Sequence, residues 1–342
     1  MTGGPERRRG GSPRPCHVLL YTPSLADIAG GSRVVMDWAA VALEAGSRVT
    51  IATPDGVAPP WSDVDGVDVV RPDHVSGDPD LAIATIWWTA WQCDRWRRRG
   101  VRAAHLHQDH EALWASRPEE RRIVQAAYRL LPAKVCVSRW VAERCAANGD
   151  VVRVVPPAVA VPIAGPRASR PGPLVVGLPY RPLPERGWPV MDAVASRVRA
   201  AGAEIAFRVW GPGARAAAGG RYDDVHEPAS DEELVRLYDS CDVLLHTSWH
   251  DGFPLPPIEA MARRTAVVAC ATGGILEYAV DGDNCLLAPT GDVASLAAAL
   301  ERLTHDPDLR ERLVPRGVET ARRYSRERFT ASAARALAEL AA

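Results

Sequence analysis

Short apolar runs bounded by turn residues recur along nearly the whole chain, and segments of helical period separate them. This alternation restricts the fold to parallel sheets covered on both faces. The first run is CHVLLYT at 16–22; Gly30, Gly31 and Ser32 then lead into RVVMDWAAVALEAG, whose apolar positions recur at helical spacing until Gly46 ends it. SRVTIAT supplies a second strand, and further strands are expected at 67–71, 80–86, 102–107, 133–137 and 151–155. Proline then becomes so frequent between residues 155 and 173 that neither a helix nor a central strand fits there. A second set follows with LVVGL, EIAFRVWG, CDVLLHT and TAVVACA, alternating with helices expected near 187–201, 231–240, 257–263, 292–304 and 307–323.

The expected organisation is a tail at 1–15, a Rossmann-like domain at 16–160, a linker at 161–173, a second Rossmann-like domain at 174–324 and a closing helix at 325–342. A chain of 342 residues fits two such units, and a 47% hydrophobic content supplies two cores. The formal net charge of −1 argues against nucleic acid as a general partner. The seven cysteines include no C-x-x-C pair and mostly lie in apolar runs, so they read as buried thiols of a reducing cytoplasm. No apolar run is long enough to span a membrane, and MTGGPERRRGGSPRP lacks the apolar centre of a signal peptide. The expected location is therefore cytoplasmic. Oligomeric state is left open.

The chemistry concentrates in HTSWHDGFPL, residues 246–255, continuing through PPIEAMA. Asp251 precedes a Gly252-Phe253-Pro254-Leu255 turn, and Glu259 follows eight positions later in the first turns of a helix. A loop feeding a helix N-terminus offers unpaired N–H groups and positive potential to an anion. Acids on both sides of such a cradle suit a nucleotide-sugar: the diphosphate on the turn amides, with Ser248 among the donor contacts, ribose hydroxyls on Glu259 and the donor sugar on Asp251. At these residues the chain resembles the retaining, two-domain glycosyltransferases of the GT-B fold, family 4. That family carries E-G-F-G-L-P-x-x-E-A-M-A where this chain reads D-G-F-P-L-P-P-I-E-A-M-A. Asp251 is one methylene shorter than the family's Glu, and Pro254 removes a backbone donor.

The resemblance extends to YRPLPERGW, where Arg181 and Arg186 occupy the places of the family's R-x-x-x-x-K-G cations that neutralise the donor diphosphate. Gly30 and Gly31 match its Gly-Gly loop, which approaches phosphate or acceptor, although a plain tight turn has the same composition. HLHQDHEALW at 105–114 crowds His107, Gln108, Asp109, His110 and Glu111 together. Extended, those side chains would alternate between faces, so a compact metal set does not follow, and helix capping by Asp109 and Glu111 is an alternative. With ATIWWTA, which includes Trp88, the Q-D-x-E element resembles transferases that include rhamnosyltransferases of bacterial polysaccharide assembly. The family's strand-end histidine falls at His107 or Gln108, and Asp109 could orient the acceptor hydroxyl or act as its base.

Eleven tryptophans stand against three phenylalanines, with Trp87, Trp88, Trp91 and Trp96 clustered ahead of Arg97–Arg99. Stacking on sugars, core packing and peripheral contact with the inner face of an anionic membrane are each open to this segment. The expectation is an α/β, GT-B enzyme that moves a hexose or deoxyhexose from a nucleoside-diphosphate sugar to a glycan, lipid-linked or small-molecule hydroxyl with retention. No cofactor or metal is expected, and the D-x-D at Asp63 to Asp65 is far in sequence from every site element. Two alternatives remain: a catalytically weak nucleotide-sugar-binding partner of another transferase, and a sugar-nucleotide epimerase.

Overall fold

The computed structural model describes residues 15–26, 30–62, 65–166, 172–228 and 230–342. Most of the expected tail, part of the expected linker and Asp63 of the D-x-D element lie outside the described residues.

Two wholly parallel sheets make up the molecule. The first contains β1 His17–Tyr21, β2 Arg48–Ala52, β3 Val67–Val70, β4 Leu81–Ala84, β5 Arg102–His107, β6 Ala133–Cys136 and β7 Val151–Val154, in the order β3-β2-β1-β4-β5-β6-β7. The second contains β8 Leu174–Pro179, β9 Ile205–Trp210, β10 Asp224–His226, β11 Val243–His246, β12 Ala266–Cys270 and β13 Leu286–Ala288, in the order β10-β9-β8-β11-β12-β13. Central strands such as HVLLY and AVVAC are buried along their whole length, as helices on both faces require. β10 and β13 were not expected; each is three residues long, too short to show a period.

Eleven α-helices are found among the described residues: α1 Gly30–Glu44, α2 Ala90–Arg97, α3 Pro118–Tyr128, α4 Arg139–Cys145, α5 Trp188–Ala200, α6 Ala214–Ala218, α7 Asp231–Asp239, α8 Leu255–Ala262, α9 Val293–His305, α10 Pro307–Arg322 and α11 Arg326–Ala341. Helix α1 buries Val34, Val35, Trp38, Ala39, Val41 and Ala42 along one stripe. Helix α11 packs back onto it, with Phe329 edge-on to Trp38 at 6.2 Å and Arg326 paired with Asp37. The terminal helix thus joins the core of the first sheet, not the second. Between the sheets the apolar packing is continuous: Val137, Val141 and Val159 belong to one buried cluster with Leu244, Phe253 and Ile258.

Helix α8 begins Leu-Pro-Pro, which suits a first turn whose N–H groups need no intrahelical partner. Beyond its last residue, Ala262, and the cap at Arg263 stands Arg264, whose φ of 63° is a left-handed conformation that favours glycine. Arg264→Gly is expected to stabilise the fold by about 0.5–1 kcal/mol, the side-chain penalty in that conformation less glycine's entropic cost. Urea unfolding checks this; a lower midpoint would show that the arginine side chain contributes more than its backbone costs.

Candidate functional site

In an open parallel sheet a crevice forms at the carboxyl ends of the strands where the order reverses. Here the reversals fall between β1 and β4 and between β8 and β11, and the two crevices face one cavity of about 870 Å³. Thr22 and Thr85 line it from the first sheet, and Tyr180, His246 and Ser248 from the second.

Two glycines set the geometry of its floor. At Gly187, φ is +69° and a Cβ would run into the Thr247 carbonyl, so the loop after β8 lies directly on the loop after β11. Thr247 Oγ1 donates to Gly187 O at 3.0 Å, and the Trp249 N–H donates to Glu185 O at 2.8 Å. This docking brings Arg186 to Asp251, with which it pairs. At Gly252 a Cβ would occupy the place of the Gln108 carbonyl oxygen, so the strand end of the first domain packs on the turn of the second. Ser138 Oγ reinforces the contact by donating to Gly252 O at 2.6 Å.

Asp109, the residue after Gln108, is thereby carried against Arg186 and Asp251. Burial and the Asp251 carboxylate push its carboxyl up to about 7, while Arg186 draws it down. Burial opposes the Arg186 charge, but Asp251 and Asp109 overcome that and hold its guanidinium firmly protonated. One cation therefore sits between two acids from opposite domains.

Glu259 lines the cavity on α8, buried, and accepts from Tyr238 Oη at 2.7 Å. Burial raises its pKa, against the lowering effects of the Tyr238 hydrogen bond and Arg33. Arg33, at the start of α1, crosses the cleft to Asp231 at the start of α7 through a paired contact, one arm of which is Nη1 to Oδ2 at 2.8 Å. Two buried polar atoms facing this space, His246 Nε2 and Ser248 Oγ, have no partner among the described residues. Burial holds the His246 imidazole down to about 4, so its ring is neutral. Buried polar atoms are normally hydrogen-bonded, so unpaired ones on a cavity wall mark where a polar ligand belongs.

Of the residues singled out from sequence, the cavity brings together Gly30, Gly31, Gln108, Asp109, Arg181, Arg186, Ser248, Asp251, Phe253, Leu255 and Glu259. Four stand elsewhere. His107 is fully buried behind the wall, stacked on His105 with ring centroids 3.7 Å apart and held neutral by burial, which leaves Gln108 as the strand-end residue on the cavity. Trp88 sits on the turn at 87–89 and does not reach the cavity. Gly252 is spent on the contact between domains, and Pro254 accepts from Tyr278 Oη at 2.6 Å through its carbonyl. Among the described residues no group of three or more His, Cys, Asp or Glu is placed to hold a metal. Glu111, beside Asp109 in sequence, accepts from the Trp87 N–H at 3.0 Å.

Sequence reasoning missed His246, Tyr238, Arg33, Trp61 and Trp114 as cavity residues. Only His246 carried a signal, a polar residue closing an apolar strand. The charge arrangement has a direct check: Asp251→Asn is expected to lower the Asp109 pKa below about 7, and Arg186→Ala to raise it. Carboxyl carbon NMR titration reads both; an unmoved Asp109 in the two variants would separate it from this cluster.

Residues 224–320 match the family model for Glycosyl transferases group 1. The D-inositol 3-phosphate glycosyltransferase of Stackebrandtia nassauensis is 30% identical over 172 residues, 44% of this chain and 38% of that protein. The MMP alpha-(1->4)-mannosyltransferase of Mycolicibacterium hassiacum is 40% identical over 98 residues, 28% of this chain and 24% of that protein. The chain thus matches well under half the length of these curated relatives. Among solved structures, sucrose-phosphate synthase from Thermosynechococcus elongatus superimposes with a TM-score of 0.78 at 18% identity, over 95% of this chain and 99% of that one. Anabaena HepE in complex with UDP-glucose gives a TM-score of 0.72 at 16% identity, over 94% and 99% respectively. Two facing Rossmann-like domains with this likeness are the GT-B fold, and the segment that matches the group 1 glycosyl transferase model runs from β10 to within α10.

Proposed function

We propose that the chain is a nucleotide-sugar-dependent glycosyltransferase that moves a hexose or deoxyhexose to an acceptor hydroxyl with retention and without a metal. The single observation that carries this reading is the cavity wall itself, where Arg181, Arg186, Asp251 and Glu259 converge beside two unpaired buried polar atoms. HepE, of the same fold, has been crystallised with UDP-glucose, which supports a nucleoside-diphosphate sugar as donor here. The relatives act on inositol phosphate and as a mannosyltransferase, which supports sugar transfer but not one particular sugar.

In this reading the diphosphate lies between the amide end of α1, opened by Gly30 and Gly31, and the guanidinium groups of Arg181 and Arg186. Two fixed cations stabilise the charge that develops on the leaving phosphate as the glycosidic bond breaks. Glu259 accepts from ribose hydroxyls. Asp251, His246 and Ser248 meet the donor sugar, and the two unpaired atoms gain their hydrogen bonds only when it is bound. Gln108 and Asp109 approach from the acceptor side, and Asp109, poised to titrate near 7, orients the incoming hydroxyl. The hydroxyl attacks the anomeric carbon on the face from which the phosphate departs, its proton passes to the phosphate oxygen, and configuration is retained. No second carboxylate on the opposite face is then required. Because cations and helix amides neutralise the diphosphate, turnover is expected to survive EDTA; loss that manganese restores would contradict this.

A catalytically weak binding partner would share the nucleotide contacts and differ in the sugar contacts, so the two acids separate the readings. Glu259→Ala is expected to weaken free nucleoside diphosphate and intact donor alike, by about tenfold, the scale of a hydrogen bond to a charged group. Asp251→Asn is expected to leave nucleoside-diphosphate affinity within about twofold and lower kcat by at least tenfold, since a contact with the transferring ring strengthens as that ring gains positive charge. Calorimetry and steady-state rates measure both. Equal loss of nucleotide binding in the two variants would make Asp251 structural.

A further inference from the structure

A carboxylate taken out of water keeps its charge and its direction only where neighbours fix them. Glu259, buried on the cavity wall, is such a group. Its Oε2 accepts from Tyr238 Oη at 2.7 Å, and no hydrogen bond reaches its Oε1 among the described residues. The other polar side chains near it are committed elsewhere. Arg33 hydrogen-bonds Asp231 across the cleft, and Tyr278 Oη donates to Pro254 O. Arg33 reaches Glu259 through its positive potential alone, and the negative potential of Asp231 works against it.

The Tyr238 side chain is itself held in place. It stands near the end of α7, fully buried, and its ring meets the Trp210 indole edge-on with centroids 5.5 Å apart. That indole fills the space beside Gly177 on β8, where a Cβ would overlap it. Thr265 Oγ1 donates to Tyr238 O at 3.0 Å, which ties this end of α7 to the turn after α8. Packing from two strands and a turn therefore delivers one phenol hydrogen to one carboxylate oxygen.

Resting on the glycosyltransferase reading above, we infer that Tyr238 is a positioning residue of the donor site, which turns the Glu259 carboxylate so that Oε1 meets the ribose. Its hydroxyl hydrogen is spent on Glu259, so Tyr238 has none to give to the nucleotide and acts through the acid. The donated hydrogen also favours the charged form of Glu259, in opposition to burial. Without it, burial is less opposed and Glu259 takes up its proton at a higher pH.

Calorimetry on the full chain with UDP, GDP, dTDP and ADP finds the nucleotide that binds most tightly, and a cycle of single and double substitutions then uses that one. Tyr238→Phe keeps the ring against Trp210 and removes only the hydroxyl. Near neutral pH it is expected to weaken the nucleotide about fivefold, the scale of one hydrogen bond, and to leave kcat at saturating donor within about twofold. In the Glu259→Ala background the same substitution is expected to change affinity by less than about twofold, because the group it acts through is gone. As pH is lowered, nucleotide affinity in Tyr238→Phe is expected to fall off at a higher pH than in the parent. No such displacement is expected when both chains compared carry Glu259→Ala. Parent affinity in Tyr238→Phe, a full loss that persists in the Glu259→Ala background, or an undisplaced pH dependence would overturn the inference. If none of the four nucleotides binds the parent, or if Glu259→Ala leaves binding unchanged, it is the underlying reading of the donor site that fails.

Discussion

Much of this site depends on one close approach: the carbonyl of Gln108 occupies the space where Gly252 has no side chain. That contact brings the end of β5 from the first domain against the turn before α8 in the second. Asp109 then has no choice but to face Arg186 and Asp251, and the shared guanidinium compensates the cost of burying two carboxylates in one place. The same approach completes the apolar cluster through Val137, Val141, Phe253 and Ile258. A cavity walled by two domains, with the charged groups Asp109, Arg186 and Asp251 at its floor, follows from it.

The charge distribution gives the floor its chemistry. An isolated buried carboxylate pair would neutralise itself by taking up a proton, and a buried arginine alone would be expensive. Arranged as acid, cation, acid, they leave Arg186 protonated and Asp109 close to its midpoint near neutral pH. An arriving anion competes with Asp251 for the guanidinium, so ligand entry and reorganisation of the ion pair are one event. The link from Arg33 to Asp231 spans the same cleft at its other side, where α1 and α7 begin.

Much of the fold was legible in the sequence because buried parallel strands and amphipathic helices write their periods locally. Every strand of the first sheet lay in a recognisable apolar run, while β10 and β13 escaped because three residues carry no period. The site was legible where chemistry and chain run together: Asp251 and Glu259 share one turn and helix, and Arg181 and Arg186 share one loop. It was illegible where partners come from distant segments. Tyr238 reaches Glu259 across 21 positions and Arg33 reaches Asp231 across 198, neither signalled by spacing. The tryptophans show the same limit, since the dense group at 87–96 drew notice by composition while the cavity uses Trp61 and Trp114. His107 and Gln108 were equivalent in sequence, and only the pleat of β5 decides which side chain faces inward.

The central claim is that this cavity holds a nucleoside diphosphate between the two domains. Thermal unfolding of the full chain with UDP, GDP, dTDP and ADP in turn addresses it most directly, because a ligand that binds only the folded state raises stability by about 2.7 kcal/mol at a hundred times its dissociation constant. The account expects a clear upward shift with at least one nucleotide, and a smaller shift with the corresponding monophosphate, which lacks the second phosphate for Arg181 and Arg186. An unfolding temperature unmoved by all four at millimolar concentration, or moved equally by mono- and diphosphate, would contradict it.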